Sequence, residues 1–296
     1  MSPQKGEPDI SSLRQRAAVL VEALPYLRQF RGHTVVIKYG GAAMVDPGLR
    51  TEVLKDVVLV EHVGMRPVLV HGGGPEISEM MRRLGKEPRF VEGLRVSDAE
   101  TVAIAQMVLL GSANPELVAA IQQQGGRAIG LSGKDDGLVA ARKLPTSGGQ
   151  DLGFVGEVVS VKAELLAELL GQGLIPVIAP IAAGPDGETY NINADHFAAA
   201  IAGALKASKL VLLTDVRGVL ADRADEGTLI SELTSAQATA MIASGHIESG
   251  MIPKVEACLG ALASGVRRCH IIDGRLPHAI LMELLTDVGI GTMVVA

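Results

Sequence analysis

The chain has 296 residues, 48% of them hydrophobic, and a formal net charge of −6. This size and apolar content suit one large core, while the acidic balance and the 2% of aromatic residues argue against nucleic-acid binding. There is no uninterrupted run of about 18 apolar residues, so we expect no membrane span. The start of the chain lacks a signal-peptide pattern and Cys258 and Cys269 lack metal-ligand spacing, so we expect a cytoplasmic protein.

The first predicted element is an amphipathic helix over residues 10–30, where Leu13, Leu20 and Leu24 belong to one apolar stripe and Pro25 should introduce a kink. Because this helix precedes the first strand, it need not belong to the core. The stripe either packs on its own domain or pairs with another subunit, and the sequence leaves both interpretations open.

Short apolar segments alternate with amphipathic helical patterns through the rest of the chain. Strands are predicted at 35–37, 68–70, 175–178, 210–213 and 270–272, with helices at 49–62, 75–84, 98–109, 162–170, 194–205 and 254–264. Strands that are apolar on both faces and separated by helices predict an α/β fold with a parallel sheet covered on two sides. Pro176 weakens the third strand, since proline cannot donate to a sheet.

The segment 125–161 differs, because its short alternating pieces and the turn signal Gly148-Gly149 predict an antiparallel hairpin region. The turn-forming cluster at 182–187 is the best candidate boundary. We therefore predict an N-terminal helix for oligomerisation (1–30), an N-terminal lobe (31–185) and a C-terminal lobe (186–296), with a site between the lobes.

Lys38 ends the first predicted strand and is followed by Gly40 and Gly41. A cation beside bare backbone N–H groups suits a polyanion such as the phosphate tail of a nucleotide. The alternative is a solvated lysine at a strand end. Neither a Walker A motif nor a GxGxxG fingerprint is present, so neither of those phosphate sites is predicted.

The second strand ends in His71-Gly72-Gly73-Gly74-Pro75, which leads into a helix. Proline suits the first turn, and the glycine N–H groups would face an anion at the helix N-terminus. A tight turn that binds nothing is the alternative. Three consecutive glycines are entropically costly for a mere turn, so we favour binding.

Three further polar positions precede predicted helices. Arg95 could present its planar guanidinium to a carboxylate, or simply be solvated. Asn191 and Asp195 suggest contacts aimed into a cleft, although capping of the helix is common for such residues.

Lys254 follows Gly250-Met-Ile-Pro and opens a helix, where a cation opposes the helix dipole. That conflict hints at function, although a lysine that swings out to water is equally compatible. Lys38 and Lys254 would supply two cations held apart by Asp195, and this arrangement suits phosphoryl transfer.

The segment Thr214-Asp215-Val-Arg-Gly218 ends the fourth predicted strand. Ligands of open α/β sheets bind beyond the carboxyl ends of strands, so this loop would contact a nucleotide base or phosphate. An acidic turn without a ligand fits equally well.

The order of these motifs closely resembles the amino acid kinase family, particularly its members that phosphorylate N-acetyl-L-glutamate. The resemblance implies an open αβα sandwich with a mostly parallel central sheet. It also implies transfer of the γ-phosphoryl group of ATP, which enters with Mg²⁺, to the side-chain carboxylate of N-acetyl-L-glutamate in arginine biosynthesis. A sibling enzyme acting on another carboxylate, a carbamate or a nucleotide, and a non-catalytic arginine-sensing protein, are the alternatives.

The resemblance also implies roles for individual residues. Lys38 and Lys254 would stabilise the transferring phosphoryl group and Asp195 would organise them. The predicted substrate-binding residues are Gly73, Gly74, Arg95 and Asn191. The predicted ATP-binding residues are Gly40, Gly41, Thr214, Asp215 and Gly218. No protein metal ligand is assigned.

Two features resemble the arginine-inhibited members of the family. The first is the N-terminal helix, which in those members interlaces dimers into a hexameric ring built as a trimer of dimers. The second is the tail from Pro277 to Thr292, which looks like their arginine-site signature. The resemblance implies four members of an arginine site, namely Lys209, His278, Glu283 and Gly289.

Overall fold

A computed structural model of the protein describes residues 10–91, 93–145, 151–222, 224–247, 250–286 and 289–296. The helices are α1 Ile10–Phe30, α2 Ala42–Val45, α3 Pro47–His62, α4 Gly74–Arg83, α5 Ala99–Val108, α6 Asn114–Gln123, α7 Glu164–Gly171, α8 Ala194–Ala204, α9 Ser235–Ala243, α10 Ile252–Ala263 and α11 Ala279–Leu284. A π-helical turn, Leu109–Ala113, joins α5 to α6, and 3₁₀ turns cover Asp135–Gly137 and Glu226–Thr228.

The strands are β1 Thr34–Tyr39, β2 Arg66–His71, β3 Phe90–Val91, β4 Leu94–Arg95, β5 Ala128–Ser132, β6 Val139–Lys143, β7 Val155–Val161, β8 Ile175–Ala179, β9 Ile181–Ala183, β10 Thr189–Ile192, β11 Lys209–Thr214, β12 Glu232–Thr234, β13 Arg268–Asp273 and β14 Thr292–Val295. Eight of them form one sheet in the order β12-β14-β13-β11-β1-β2-β8-β5. Its neighbours are parallel except for the antiparallel pair β13 and β14. The predicted mostly parallel sheet is confirmed.

Alternate side chains of β1 enter different cores, which shows why this strand is apolar on both faces. Val36 packs on the face covered by α8 and α10, whereas Val35 and Ile37 pack on the face covered by α3 and α6. All three side chains are buried. The sheet is therefore the middle layer of an αβα sandwich, as predicted.

Pro176 lies inside this sheet without disrupting it. The N–H of Ile175 donates to Arg127 on the β5 side, so the next residue faces β2. Pairing between β2 and β8 begins only at Val177. The sheet therefore loses no hydrogen bond through the missing N–H of Pro176.

The predicted hairpin region is correct only in part. Strands β6 and β7 are antiparallel and close with β9 and β10 into a small four-stranded barrel. Strand β5, however, is the edge strand of the main sheet and runs parallel to β8. Its sequence, Ala-Ile-Gly-Leu-Ser, lacks a β-branched run that would have marked it as part of the central sheet. The predicted turn at Gly148-Gly149 lies outside the described residues.

The two predicted lobes share one continuous sheet, with β1 and β2 from the first and β11 and β13 from the second. The lobe boundary stays a prediction. The apolar stripe of α1 is largely exposed on this single chain, with Leu13 49%, Leu20 73% and Leu24 41% accessible. These exposures disfavour the interpretation in which the stripe packs on its own domain.

One continuous helical run, Ala99–Gln123, is long and apolar enough to cross a membrane. Within this run, 44% of the most apolar stretch is buried inside the protein. Core helices of ordinary globular proteins can be equally long and apolar. The run is weak evidence for a membrane segment, and the absence of a span stays a prediction.

Candidate active site

Three charged side chains that are distant in sequence meet at the carboxyl end of β1. The Lys38 Nζ and the Lys254 Nζ each lie 3.1 Å from a different carboxylate oxygen of Asp195. The structure thus brings together the three predicted catalytic residues. Two cations share one anion, so the cluster carries an excess positive charge.

Burial makes this cluster electrostatically strong. Asp195 is only 4% exposed and Lys38 only 8%. Burial raises the pKa of Asp195, but the ammonium groups of Lys38 and Lys254 outweigh that effect and hold this pKa below its ordinary value. Asp195 is therefore a permanent anion near neutral pH, and both of its oxygens are engaged by lysines.

Local structure explains how each group reaches the cluster. Lys38 is the fifth residue of the buried strand β1. Asn193 caps α8, since its Oδ1 accepts from the N–H groups of Asp195 (2.9 Å) and His196 (3.2 Å). The cap fixes the first turn that carries Asp195, and Lys254 comes from the first turn of α10, which packs against α8. One turn of the chain thus contains both the helix cap, Asn193, and a predicted catalytic residue, Asp195.

The glycine loop after β2 lies beside Lys38. The Gly72 N–H donates to the Tyr39 carbonyl (2.7 Å), and the Cα of Gly72 lies 3.9 Å from where a Cβ of Gly40 would be. Gly73 caps α4, and a Cβ there would collide with Leu109. The loop is therefore packed closely against its surroundings, and the N-terminus of α4 points its positive end at the site.

A cavity of about 170 Å³ opens at this loop. Its walls include Gly73, Gly74, Arg95, Asn191 and Ala194, the residue before Asp195. The cavity thus collects all four predicted substrate-binding residues. Its small volume favours a small ligand.

Arg95 is 7% exposed and is held by its surroundings. Its Nη2 donates to the Gly74 carbonyl and to the Ser78 Oγ, both at 2.8 Å, and the guanidinium lies 4.7 Å from the ring centroid of Phe90. Arg95 is therefore a fixed cation in the cavity wall rather than a solvated one. Phe90 was missed from sequence, where it appeared as one isolated aromatic residue.

A second cavity, of about 420 Å³, lies beside the charged cluster. It is lined by Thr214, Asp215, Gly218 and Lys254, so three of the five predicted ATP-binding residues share it with a catalytic lysine. Gly41 is held against Asp215, where a Cβ at position 41 would fall within 3 Å of all three carboxylate atoms. Gly40 lies over the Lys38 Nζ. The five residues therefore surround one region.

Another buried cluster lies toward the amino-terminal ends of β11 and β13. The His270 Nδ1 lies 2.6 Å from the Glu283 Oε1, and the Ile290 N–H donates to the Glu283 Oε2 at 2.7 Å. Lys209 is buried, with its Nζ 4.6 Å from the ring centroid of Phe30 in α1. A Cβ at Gly289 would lie 3.1 Å from Glu283.

Three predicted members of the arginine site, Lys209, Glu283 and Gly289, belong to this cluster, but the structure places His278 elsewhere. The His278 Nδ1 contacts Asp56 (2.7 Å) and its Nε2 contacts Glu52 (3.1 Å), both on α3. The histidine of the cluster is His270. It was missed because it sits within an apolar run that marks it only as a strand residue.

Protonation in this cluster follows from burial and pairing. Burial lowers the pKa of Lys209 to about 8 despite nearby Glu283. Burial raises the pKa of Glu283, but His270 and the Ile290 N–H together bring it below its ordinary value. Burial also lowers the pKa of His270. The cluster thus holds a neutral imidazole in contact with the Glu283 carboxylate at neutral pH, with Lys209 nearby.

Fold and site together define a phosphotransferase class, and the chain belongs to the amino acid kinase family, whose model matches residues 33–273. Within that family it is similar to acetylglutamate kinases, a group of kinases that act on a carboxyl group. The acetylglutamate kinase of Pelotomaculum thermopropionicum is 56% identical over 288 residues, covering 95% of this chain and 98% of the relative.

Two solved structures of another enzyme resemble the chain at lower identity. The N-acetylglutamate synthase of Neisseria gonorrhoeae, complexed with coenzyme A and N-acetyl-glutamate, superimposes with a TM-score of 0.84 at 29% identity, covering 95% of this chain and 63% of that one. A structure of the same synthase with coenzyme A and L-arginine gives a TM-score of 0.80 at 26% identity, covering 94% and 65%.

Proposed function

We propose that the protein transfers the γ-phosphoryl group of ATP to the side-chain carboxylate of N-acetyl-L-glutamate, in the arginine-biosynthetic pathway. The observation that carries the proposal is the cluster of Lys38, Asp195 and Lys254, in which Lys254 lines the 420 Å³ cavity and Asp195 follows Ala194 of the 170 Å³ cavity. The relatives named acetylglutamate kinase support the choice of substrate.

The chemistry needs little from the protein beyond position and charge. A carboxylate oxygen of the substrate attacks the γ-phosphorus, the new O–P bond forms an acyl phosphate, and the bond to the β-phosphate oxygen breaks to release ADP. The substrate carboxylate is already ionised near neutral pH, so no general base is required. Asp195 fits this demand, because its lowered pKa and its two lysine contacts suit an organiser rather than a base.

Lys38 and Lys254 supply the electrostatic stabilisation. Charge moves from the substrate carboxylate toward the leaving ADP, and donors placed in advance along that path stabilise the transition state. Mg²⁺ enters with ATP and neutralises phosphate charge. Within the described residues no group of three or more His, Cys, Asp or Glu side chains could hold a metal ion, and the assignment of no protein metal site stays a prediction.

Substrate recognition is assigned to the 170 Å³ cavity. Arg95 would pair with the substrate α-carboxylate, Asn191 would contact the substrate, and the Gly73 and Gly74 N–H groups would bind the substrate and the neighbouring phosphate. The loop of Thr214, Asp215 and Gly218 would hold the nucleotide in the 420 Å³ cavity.

Arginine regulation is the finer part of the proposal. The buried His270 Nε2 meets no hydrogen-bond partner within the described residues. Since Nδ1 faces the Glu283 carboxylate, Nε2 is an acceptor, and with that carboxylate it suits the N–H donors of an arginine. The Neisseria gonorrhoeae synthase was solved in complex with L-arginine, which supports arginine as the effector. Lys209, His270, Glu283 and Gly289 would form the effector site, without His278.

The chain would assemble into a hexamer built as a trimer of dimers, and the exposed apolar stripe of α1 supports a contact of this helix with another subunit. Lys209 contacts Phe30 at the end of α1, so assembly and the effector site would share that helix. We also propose a cytoplasmic location, where ATP and a reducing environment suit the two buried free thiols.

A substrate panel tests the activity. Release of ADP is measured by a coupled assay with N-acetyl-L-glutamate, L-glutamate, L-aspartate, carbamate or UMP as acceptor, with and without arginine. The expected result is turnover that is selective for N-acetyl-L-glutamate and inhibited by arginine. Turnover no faster with N-acetyl-L-glutamate than with the other acceptors would reject the substrate.

A further inference from the structure

A buried polar pair connects the centre of the sheet to the glycine loop. His71, the last residue of β2, has no exposed surface, and Asn114, the first residue of α6, is 5% exposed. The Asn114 Nδ2 lies 2.8 Å from the Val177 carbonyl of β8 and 3.1 Å from the His71 Nε2. Buried polar groups are costly unless they are hydrogen-bonded, and both of these side chains have hydrogen-bond partners that fix their orientation.

The proton positions follow from what each neighbour can accept. The Val177 carbonyl can only accept, so the amide group that faces it must be the NH₂ of Asn114. The same NH₂ faces the His71 Nε2, which must then be the accepting nitrogen. In a neutral imidazole the proton is therefore on Nδ1, and it is donated to the Gly72 carbonyl at 2.8 Å. Burial lowers the pKa of His71 to about 4, so the ring is neutral at working pH.

All three carbonyls of the glycine loop are held in this way from within the protein. His71 holds the Gly72 carbonyl, the Ile77 N–H donates to the Gly73 carbonyl at 2.9 Å, and Arg95 holds the Gly74 carbonyl. In the described part of the chain, the N–H groups of Gly73 and Gly74 have no protein acceptor. The Gly73 N–H shares a peptide plane with the Gly72 carbonyl and the Gly74 N–H shares one with the Gly73 carbonyl, so holding these two carbonyls fixes the direction of both donors at the cavity wall.

We propose that His71 is a positioning residue for the phosphoryl transfer assigned above: its Nδ1–H tautomer, selected by Asn114, holds the Gly72 carbonyl and thereby sets the orientation of the Gly73 N–H in the same peptide plane. The inference rests on the proposed function. His71 does not line the substrate cavity and acts only through the loop.

Two local features place Asn114 for this role. The π-helical turn Leu109–Ala113 inserts one extra residue just before it, and such insertions shift the side chains that follow. A Cβ at Gly130 would collide with the Asn114 side chain, so the glycine of β5 makes room for the amide. Leu109, in the same turn, packs against Gly73. The π-helical turn thus supports the glycine loop twice, through the contact of Leu109 with Gly73 and through the placement of Asn114 beside His71.

Two substitutions at His71 separate the roles of its ring nitrogens. In His71→Asn the amide takes the place of Nδ1 and keeps a donor for the Gly72 carbonyl, whereas in His71→Gln the amide takes the place of Nε2 and loses that bond. We expect kcat/KM for N-acetyl-L-glutamate to fall about tenfold further in His71→Gln than in His71→Asn, the scale of one hydrogen bond. His62→Gln, at a histidine of α3 outside the site, is the control.

Melting temperatures measured beside the kinetics exclude a purely structural effect. A role in packing alone predicts equal kinetic losses in both variants, or losses that follow the melting temperature. Either result, or a greater loss in His71→Asn, would overturn the proposal.

The ring tautomer gives a second test on the unsubstituted protein, should both variants fail to fold. Nitrogen chemical shifts of ¹⁵N-histidine-labelled protein are expected to show a ring with protonated Nδ1 and bare Nε2 that stays neutral at pH 6. The ring of His270, whose Nδ1 faces Glu283, is identified by the loss of its signals in His270→Asn. A protonated Nε2 on His71 would overturn the proposal. Failure to phosphorylate N-acetyl-L-glutamate would reject the proposed function without changing this measurement.

Discussion

The two buried charge clusters of the protein differ in how completely their charges are balanced. Around Asp195, two lysines share one carboxylate, and the cluster adjoins two cavities. Around Glu283, one lysine accompanies one carboxylate and a neutral histidine, and none of the three lines either of those cavities. The excess of positive charge at the first cluster suits a polyanion, whereas the balanced second cluster suits a ligand that carries both charges.

The clusters also occupy opposite ends of adjacent strands. Lys38 pairs in register with Leu212 of β11, three positions after Lys209, which pairs with Val35. At about 3.3 Å per residue the two lysines are about 10 Å apart along the strands. A shift of β11 against β1 would therefore move residues of both clusters, and the proposed effector site would be coupled to the proposed catalytic site by this short path.

The largest expected effect comes from removing the shared anion. Asp195→Asn leaves the buried Lys38 and the half-buried Lys254 without their shared anion and should lower the free energy of unfolding by about 3–5 kcal/mol. Since the pKa of Asp195 is lowered by folding, the loss relative to the unsubstituted protein should be complete above about pH 4 and shrink at lower pH. Urea titrations at pH 3 and pH 7 measure it, and an equal loss at both would contradict the assignment.

Removing either cation should act on catalysis. Lys38→Ala and Lys254→Ala are each expected to lower kcat by about 10²–10³, the scale for one transition-state donor, with a smaller change in KM. Lys162→Ala, at an exposed ion pair with Asp136, is the matched control. Near-normal turnover in both site variants would remove the catalytic roles.

At the second cluster, Glu283→Gln keeps the shape of the side chain but removes its charge. The concentration of arginine for half-inhibition should rise at least tenfold while kcat is retained. His278→Gln is the control, because His278 contacts α3 rather than this cluster, and it should change inhibition far less. The opposite ranking would return His278 to the effector site and exclude Glu283.

The link between the second cluster and assembly is tested at α1. Deleting residues 1–30 should convert hexamers to dimers and weaken arginine inhibition several-fold, as measured by light scattering and inhibition curves. Leu20→Asp should act in the same direction, whereas Leu84→Asp, at another exposed leucine, should not. An unchanged mass after the deletion would reject the role of the helix.

The smallest expected effect is the change of folding stability with pH that the titration of Lys209 causes. Its pKa is about 8 in the folded protein and about 10.4 when unfolded, so between these values the unfolded chain binds more protons. Stability relative to Lys209→Met should therefore rise by about 1–3 kcal/mol from pH 8 to pH 10.4. Urea titrations of both proteins across this range measure it, and a fall would show that the lysine is stabilised as a cation.

Sequence patterns predicted the central sheet well, because β1, β2 and β11 are continuous apolar runs. The sequence patterns missed α6, because Gly111, Ser112 and Pro115 are residues typical of a loop. The π-helical turn carries the helix through these residues instead.

At the site, the strand-end lysine and the glycines were visible from local motifs. His270 and Asn114 were not, because their roles depend on partners 13 and 43 residues away in sequence. Such pairings are created by the fold and leave no local pattern.

The contact between Gly41 and Asp215 has a consequence for how this sequence can vary. Position 41 has a positive φ of +70° and no room for a methyl group, whereas a Cβ at Gly74 would meet nothing within 4 Å. In a library randomised at both positions and selected for growth without arginine, codon 41 should stay fixed as glycine while codon 74 tolerates alanine more readily.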